Sequence, residues 1–389
     1  MATAAPTVGD RAIERSIANV AESFRFILDV TPVNAEDQRR AFLRGAVGEP
    51  RFVYRELEDD PMVLAKELAA IDLEAVEDAA LRALLSAKHR EVTVQLEMLR
   101  ARGTADFRQL SEELYGAVGE DLKREAEAVL TRVPQPERRR GACVRAAEFA
   151  DLAEAELAHY RAIEPDIGAH VEIRPDVAGV MVSNSTLLVS AATSIAPERV
   201  PALLQHEVGT HLLTQINGSF QPIEMMAAGL AGYEATQEGL AVLAEFIVGG
   251  LSRFRVRQLA ARVLAVDRMV AGGSFAAVHK ALVRRGFSPN SAFTTTMRVF
   301  RSGGLTKDAI YLRGFLDVVK HLRDRRDLDL LWMGKLSIAE LPVIENLLER
   351  GVLHPPRLRP RYLEFPGASQ RLDEVMAADN LFGLIGDVA

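Results

Sequence analysis

Two imidazoles and a carboxylate fall within six residues in Leu204-Gln205-His206-Glu207-Val208-Gly209-Thr210-His211, a stretch that reads as helix. Histidines at short helical spacing are natural zinc ligands. A glutamate between them suits the role of general base toward the water that the metal activates. The interval is unusual. Histidines four apart, as in the common zincin pattern, are separated by about 40° around a regular α-helix. His206 and His211 are five apart, a separation of about 140° that keeps them from one ion. A single π-type turn would close that gap, and such bulges occur mostly at functional sites. Gly209 lies inside the interval, where it hinders backbone distortion least. Apolar residues flank the motif at Val200–Leu204 and Leu212–Leu213, so the helix should be buried. A buried Glu207 is costly without a partner, and a metal ion would supply one.

A catalytic zinc site takes three protein ligands and leaves a fourth position for water. The third is expected from Ala231-Gly232-Tyr233-Glu234-Ala235-Thr236-Gln237-Glu238-Gly239-Leu240-Ala241, which runs on as an apolar helix through Ile247. Glu234, Glu238 and Glu245 fall on one side of it. Glu238 is the best ligand because its neighbours Gly239 and Ala241 are small and let the two helices approach closely. Glu234 and Glu245 read as solvated or supporting carboxylates. Two histidines from one helix and a glutamate from a second form the ligand set of thermolysin-like zinc hydrolases.

The segment Gln237-Glu238-Gly239-Leu240-Ala241, taken with His206-Glu207-Val208-Gly209-Thr210-His211, resembles the bacterial QEGLA-motif family, often labelled as modulators of flavohaemoglobin expression. Together with Leu305-Thr306-Lys307-Asp308-Ala309-Ile310-Tyr311-Leu312, the motifs are also similar to the microtubule-associated tubulin tyrosine carboxypeptidases of animals. The resemblance spans roughly residues 10–380 and is most specific over residues 180–322. It implies His206, His211 and Glu238 on Zn2+ with Glu207 as the base, the same four residues that spacing selects. Nothing in the sequence identifies a tubulin-binding surface, so tubulin specificity is not implied.

Beyond the third ligand, Arg298, Arg301, Lys307, Tyr311 and Arg313 cluster around Ser302-Gly303-Gly304. A carboxypeptidase must hold the terminal carboxylate of its substrate, and arginine or lysine supplies charge-assisted hydrogen bonds for that purpose. It also needs a donor to the oxyanion that forms at the attacked carbonyl. By resemblance, Arg298, Arg301, Lys307 and Tyr311 stand in a segment that helps form the pocket. Arg298, Arg301 and Lys307 are therefore substrate-binding candidates, and Tyr311 is the oxyanion donor.

The chain has 389 residues, enough for a large core. It contains no apolar run long enough to span a bilayer, and its first residues lack the pattern of a signal peptide. Cys143 is the single cysteine, which excludes an internal disulfide framework and suits a reducing compartment. A formal charge of −7 gives no reason to invoke nucleic acid. A cytoplasmic location is expected.

Apolar residues at three- and four-residue spacing predict helices over residues 33–52, 63–71, 76–99, 106–130 and 142–163. Pro134 and Pro136 with Glu137-Arg138-Arg139-Arg140 read as a connector whose charges are solvated. His170–Pro175 alternates like a strand. Gly179–Ser190 suggests a hairpin turning near Asn184, with Ser183–Val189 as the edge that would pair with extended substrate. The other histidines read as structural, although His170 could approach the site through the sheet.

The expected fold is mainly α with a small β-sheet, an α+β protein with a zincin-like metallopeptidase core. Its regions are a helical N-terminal part (1–165), the catalytic core (166–325) and a C-terminal helical part (326–389). The expected function is zinc-dependent removal of C-terminal residues from a peptide or protein. An aminopeptidase would instead use Glu234 or Glu224 for the substrate amine. A non-peptide amidohydrolase and a non-catalytic regulatory metal protein are the other readings.

Overall fold

The computed structural model describes residues 6–135, 141–177, 179–183, 185–325 and 327–378. The charge run at Glu137–Arg140 and the turn residue Asn184 lie outside them. Helices dominate, with two small sheets, as expected for an α+β protein. No helix among the described residues is long and apolar enough to cross a membrane.

The N-terminal helices form where apolar periodicity and caps agree. Asp78 accepts hydrogen bonds from the amides of Ala80 and Leu81 and opens Ala79–Arg100, whose face Leu81, Leu84, Leu85, Val92 and Leu96 is buried. The expected helix over residues 106–130 is two helices, Asp106–Tyr115 and Glu120–Arg132. Gly116 follows the first at φ 76°, a left-handed conformation that ends it. The expected 33–52 helix is only Ala35–Leu43. Gly45 (φ 75°) and then Pro50 follow it, residues that do not continue a helix.

Five strands build the two sheets: β1 (Val144–Arg145), β2 (His170–Arg174), β3 (Val180–Ser183), β4 (Thr186–Ser190) and β5 (Ser194–Ile195). β1 pairs with β5, and the larger sheet has the order β2-β4-β3. β3 and β4 form the expected hairpin, with Val182 opposite Leu187. The Ser183–Val189 stretch is not an edge, however. β4 is central, its two sides taken up by parallel pairing with β2 and antiparallel pairing with β3. The edge near the motif helix is β3.

Apolar side chains gather in clusters on either side of the two motif helices. The larger cluster includes Leu240, Val242, Leu243 and Ala244 and draws residues from all three expected regions, from Ile17 to Val375. A second cluster joins the sheet and the Ala146–Ile163 helix to Val208, Leu212 and Leu213 of the motif helix. The motif helix is thus clamped by the second cluster, and the Glu238 helix is seated in the first.

Candidate metal centre

The motif helix is continuous but irregular. An α-helical segment Val200–His206 passes into a π-helical segment Glu207–Leu212 and returns to α-helix at Leu213–Ser219. The widened turn is the one that the five-residue histidine spacing calls for. Gly209 lies within this segment. Its φ is not positive, and a Cβ there would overlap the Gln205 side chain and come 3.1 Å from Tyr362 Cδ1. The glycine gives the Gln205 side chain its space, which a Cβ would make it leave.

The π turn brings the imidazoles of His206 and His211 together, with ring centroids 4.9 Å apart. Glu238, on the helix Tyr233–Ile247, meets both. Its Oε2 lies 3.6 Å from His206 Nε2 and 3.8 Å from His211 Nε2. One ligand atom from each of the three residues falls within 4.8 Å of the others, a group that could hold a metal ion. Glu238 Oε2 is buried and has no hydrogen-bond partner. A buried carboxylate oxygen left orphaned between two imidazoles fits a cation, and two nitrogens with one oxygen suit zinc among several metals.

Supporting residues fix this geometry. His206 Nδ1 is 2.9 Å from Oε1 of the fully buried Glu245, which leaves Nε2 facing Glu238. Arg255 Nη2 donates to Glu245 Oε1 at 3.0 Å and Arg199 Nη1 to Oε2 at 2.8 Å. A carboxylate that orients a metal-ligand histidine is a recurrent feature of metal sites. The helices are also tied by the Thr214 hydroxyl, which donates to Gln237 Oε1 at 2.7 Å. The expected reason for Gly239 needs correction. It does not serve approach to the histidine helix; a Cβ there would overlap the backbone of Gly314 on the helix Ile310–Arg325.

Burial and charge set the protonation of the group. Burial pushes the Glu207 carboxyl up to about 7, opposed mainly by His206. Burial takes His211 down to about 4, so its ring is neutral and able to ligate. In Glu238 burial acts upward, but His211, His206 and Lys307 outweigh it and hold the carboxyl below its ordinary value. In His206 burial acts downward and the Glu245 hydrogen bond outweighs it, so the net direction is up.

Tyr311 stands at the cluster, where it helps to lower the Glu238 carboxyl, with its ring under the Arg262 guanidinium at 4.5 Å. The three expected substrate cations are close but engaged. Arg298 makes a two-point pair with Asp308, Nε to Oδ2 at 2.6 Å and Nη2 to Oδ1 at 2.7 Å. Lys307 pairs with Glu234. Arg301 is buried, with Nη1 donating to Thr31 Oγ1 at 3.0 Å. Of the acids weighed for a substrate amine, Glu234 is thus taken up, and Glu224 pairs with Arg15 on the surface. His170 is exposed and bonds to Glu172 at 3.0 Å, and it is no part of the cluster.

Sequence reasoning missed Arg199, Arg255 and Arg262. Arg255 and Arg262 had a weak signal, a spacing of seven on the helix Arg253–Val270 that matches the spacing of Glu238 and Glu245, although that helix carries three more arginines. Arg199 had none.

Fold and site together define a helix-rich α+β protein with a His–His–Glu group, His206 buried and His211 and Glu238 partly so, able to hold a metal ion. The chain belongs to the microtubule-associated tyrosine carboxypeptidase family, which it matches over residues 40–379. It is similar to microtubule-associated tyrosine carboxypeptidase 1 of rat, mouse and human, in each case 28% identical over 219 residues and 52% of this chain. The chain spans 44% of the length of these relatives. Among solved structures, it resembles a protein described as a lipoprotein, from Colwellia psychrerythraea. The TM-score is 0.47 at 12% identity, over 74% of this chain and 66% of that one.

Proposed function

We propose that this chain is a zinc-dependent carboxypeptidase that removes one or a few residues from the C-terminus of a peptide or protein. The observation that carries the reading is the convergence of His206, His211 and Glu238 around an orphaned carboxylate oxygen, with Glu207 buried beside them. Membership of a family described as carboxypeptidases supports the reaction class. The relatives' names speak of microtubules, but the substrate proposed here is only a polypeptide with a free C-terminus.

His206, His211 and Glu238 would hold the ion, and zinc bound there supplies Lewis-acid polarisation of the scissile carbonyl and a lowered pKa for water. The protein's own groups do the rest. Glu207 takes the proton of the attacking water at its carboxylate and passes it to the leaving amine. Burial raises the Glu207 carboxyl, which favours its holding the proton between the two transfers. Glu245 orients His206 through Nδ1. Tyr311, whose pKa burial raises first of all, keeps its proton and can donate it to the developing oxyanion. The partners of Arg298 and Lys307 support a role for these cations in building the wall of the site.

The test is elemental analysis of the purified protein beside His206→Ala and Glu238→Ala, followed by a peptide-library screen with Glu207→Gln as control. The reading expects about one zinc per chain, lost in both variants while the fold survives. It also expects shortening of peptides from the C-terminus that Glu207→Gln abolishes. No zinc in the parent after zinc is supplied, or cleavage unaffected by Glu207→Gln, would overturn it.

A further inference from the structure

The cations expected to meet substrate are spoken for, which raises the question of which positive group near the cluster is not. Arg199 and Arg255 are bound to Glu245, Arg298 to Asp308, Lys307 to Glu234, and Lys88 to Glu91 at 2.6 Å. Arg262 and Arg301 keep one unpartnered nitrogen each, but those atoms are sealed from solvent. Lys335 is different. Among the described residues its ammonium has no carboxylate within ion-pair distance and no hydrogen-bond acceptor. Its contact is the ring of Tyr233, 5.9 Å from Nζ to the centroid, and the side chain is only partly buried. An unpaired ammonium held against an aromatic face and open to solvent on one side is poised for an anion.

Its position is firmly built. Lys335 N–H donates to the Met226 carbonyl at 2.8 Å, and its own carbonyl accepts from Leu230 N–H at 2.9 Å. The preceding Gly334 lies so close to Met226 that a Cβ would meet the Met226 carbonyl at 2.7 Å. The same segment is tied to both ligand-bearing helices. Asn217, on the histidine helix, donates to the Trp332 carbonyl at 2.8 Å. Thr236, two residues before Glu238, accepts from Ile338 N–H at 3.0 Å. Lys335 therefore sits midway along a bridge between the elements that carry His211 and Glu238. Tyr233, whose ring Lys335 faces, lies in the first turn of the helix that carries Glu238.

We propose that Lys335 receives the free α-carboxylate of a peptide substrate, an inference that rests on the carboxypeptidase reading above. A substrate carboxylate is the partner this ammonium lacks within the chain, and the ties of its segment to both ligand-bearing helices would put the substrate's last residue next to the ligand group. Lys335 is then the residue that makes the enzyme select chain ends over internal bonds. Burial already draws its pKa down to about 8, so an arriving carboxylate would also restore its ordinary protonation.

The test is binding, measured by fluorescence anisotropy in the Glu207→Gln background with zinc supplied. The probes are labelled peptides randomised at their last three residues, one pool with free carboxylates and one amidated. With Lys335 intact, the free-acid pool should bind about 100-fold tighter, as expected for a partly desolvated charge pair. Lys335→Met, which keeps the stem on Tyr233, should erase that preference without changing zinc content or the thermal midpoint. Lys335→Arg should keep part of it. No preference in the parent, or a preference that survives Lys335→Met, overturns the assignment. The hydrolase reading is judged separately on the protein with Glu207 intact. A Lys335-dependent preference without any hydrolysis would leave this pocket standing and the reaction rejected.

Discussion

His206 Nδ1 and Glu245 Oε1 lie 2.9 Å apart, in a contact that points the other imidazole nitrogen at Glu238. Glu245 has no exposed surface, and Arg199 and Arg255 hold it from two sides. Glu245→Gln keeps the shape but loses the charge that orients and enriches the histidine. We expect zinc affinity to fall about 10- to 100-fold, as for other such supporting carboxylates. Competition with a chromogenic chelator measures it. Unchanged affinity with an intact fold would show that Glu245 serves packing alone.

Metal should stabilise the native chain by mass action. With free zinc at about 100 times Kd, unfolding should cost about 2.7 kcal/mol more than in chelator. Glu238→Ala should abolish most of that gain, because it removes the carboxylate both imidazoles face. Urea melts with and without chelator test this. An equal gain in parent and variant would place the zinc elsewhere.

Gly239 and Gly314 mark the closest approach of the helices Tyr233–Ile247 and Ile310–Arg325. A methyl at Gly239 would enter the Gly314 carbonyl, and one at Gly314 would enter the Ala235 carbonyl. The obstruction is backbone, which cannot rotate aside as a side chain would. Each Gly→Ala change should destabilise by about 3 kcal/mol, despite the better helix propensity of alanine. Gly239→Ala should also weaken zinc binding by shifting the neighbouring Glu238. Denaturant midpoints and zinc titrations read out the two effects.

Glu14 is buried against the amide of Met225, and burial raises its carboxyl to about 7. Nearby Glu224 adds to the rise and Arg11 opposes it. A carboxyl whose pKa is higher folded than unfolded contributes its full stability below the unfolded value. That contribution is lost as pH rises through the folded value. The parent should therefore lose stability between about pH 4.5 and pH 7 on this account, by at most about 3 kcal/mol. Glu14→Gln keeps an acceptor for Met225 and should remove that part of the loss. Urea stability of both proteins at pH 5 and pH 8 gives the comparison, and identical slopes would dismiss the effect.

Much of the local architecture around the site could be read from one dimension. The five-residue interval between His206 and His211 demanded a widened turn, because helix geometry leaves no other way to put both rings on one face. The segment Glu207–Leu212 is that turn. Alternation in residues 170–190 announced strands, and small neighbours picked Glu238 from three glutamates on its helix, although Gly239 faces Gly314 instead of the histidine helix. These features depend on neighbours within a few residues, which spacing records directly.

The tertiary structure alone decided what depends on distant partners. β4 became central because β2, from across a loop, pairs with its far side. Arg298, Lys307 and Arg301, expected as substrate-binding residues, are engaged within the chain by Asp308, Glu234 and Thr31, contacts that spacing does not announce. Lys335 stood out only because no carboxylate among the described residues pairs with it, while Trp332 and Ile338 tie its segment to both ligand helices. Sequence determines which groups carry charge and which face of a helix they share. Which charges are neutralised depends on contacts between residues far apart in the chain, and only the packed core brings those together.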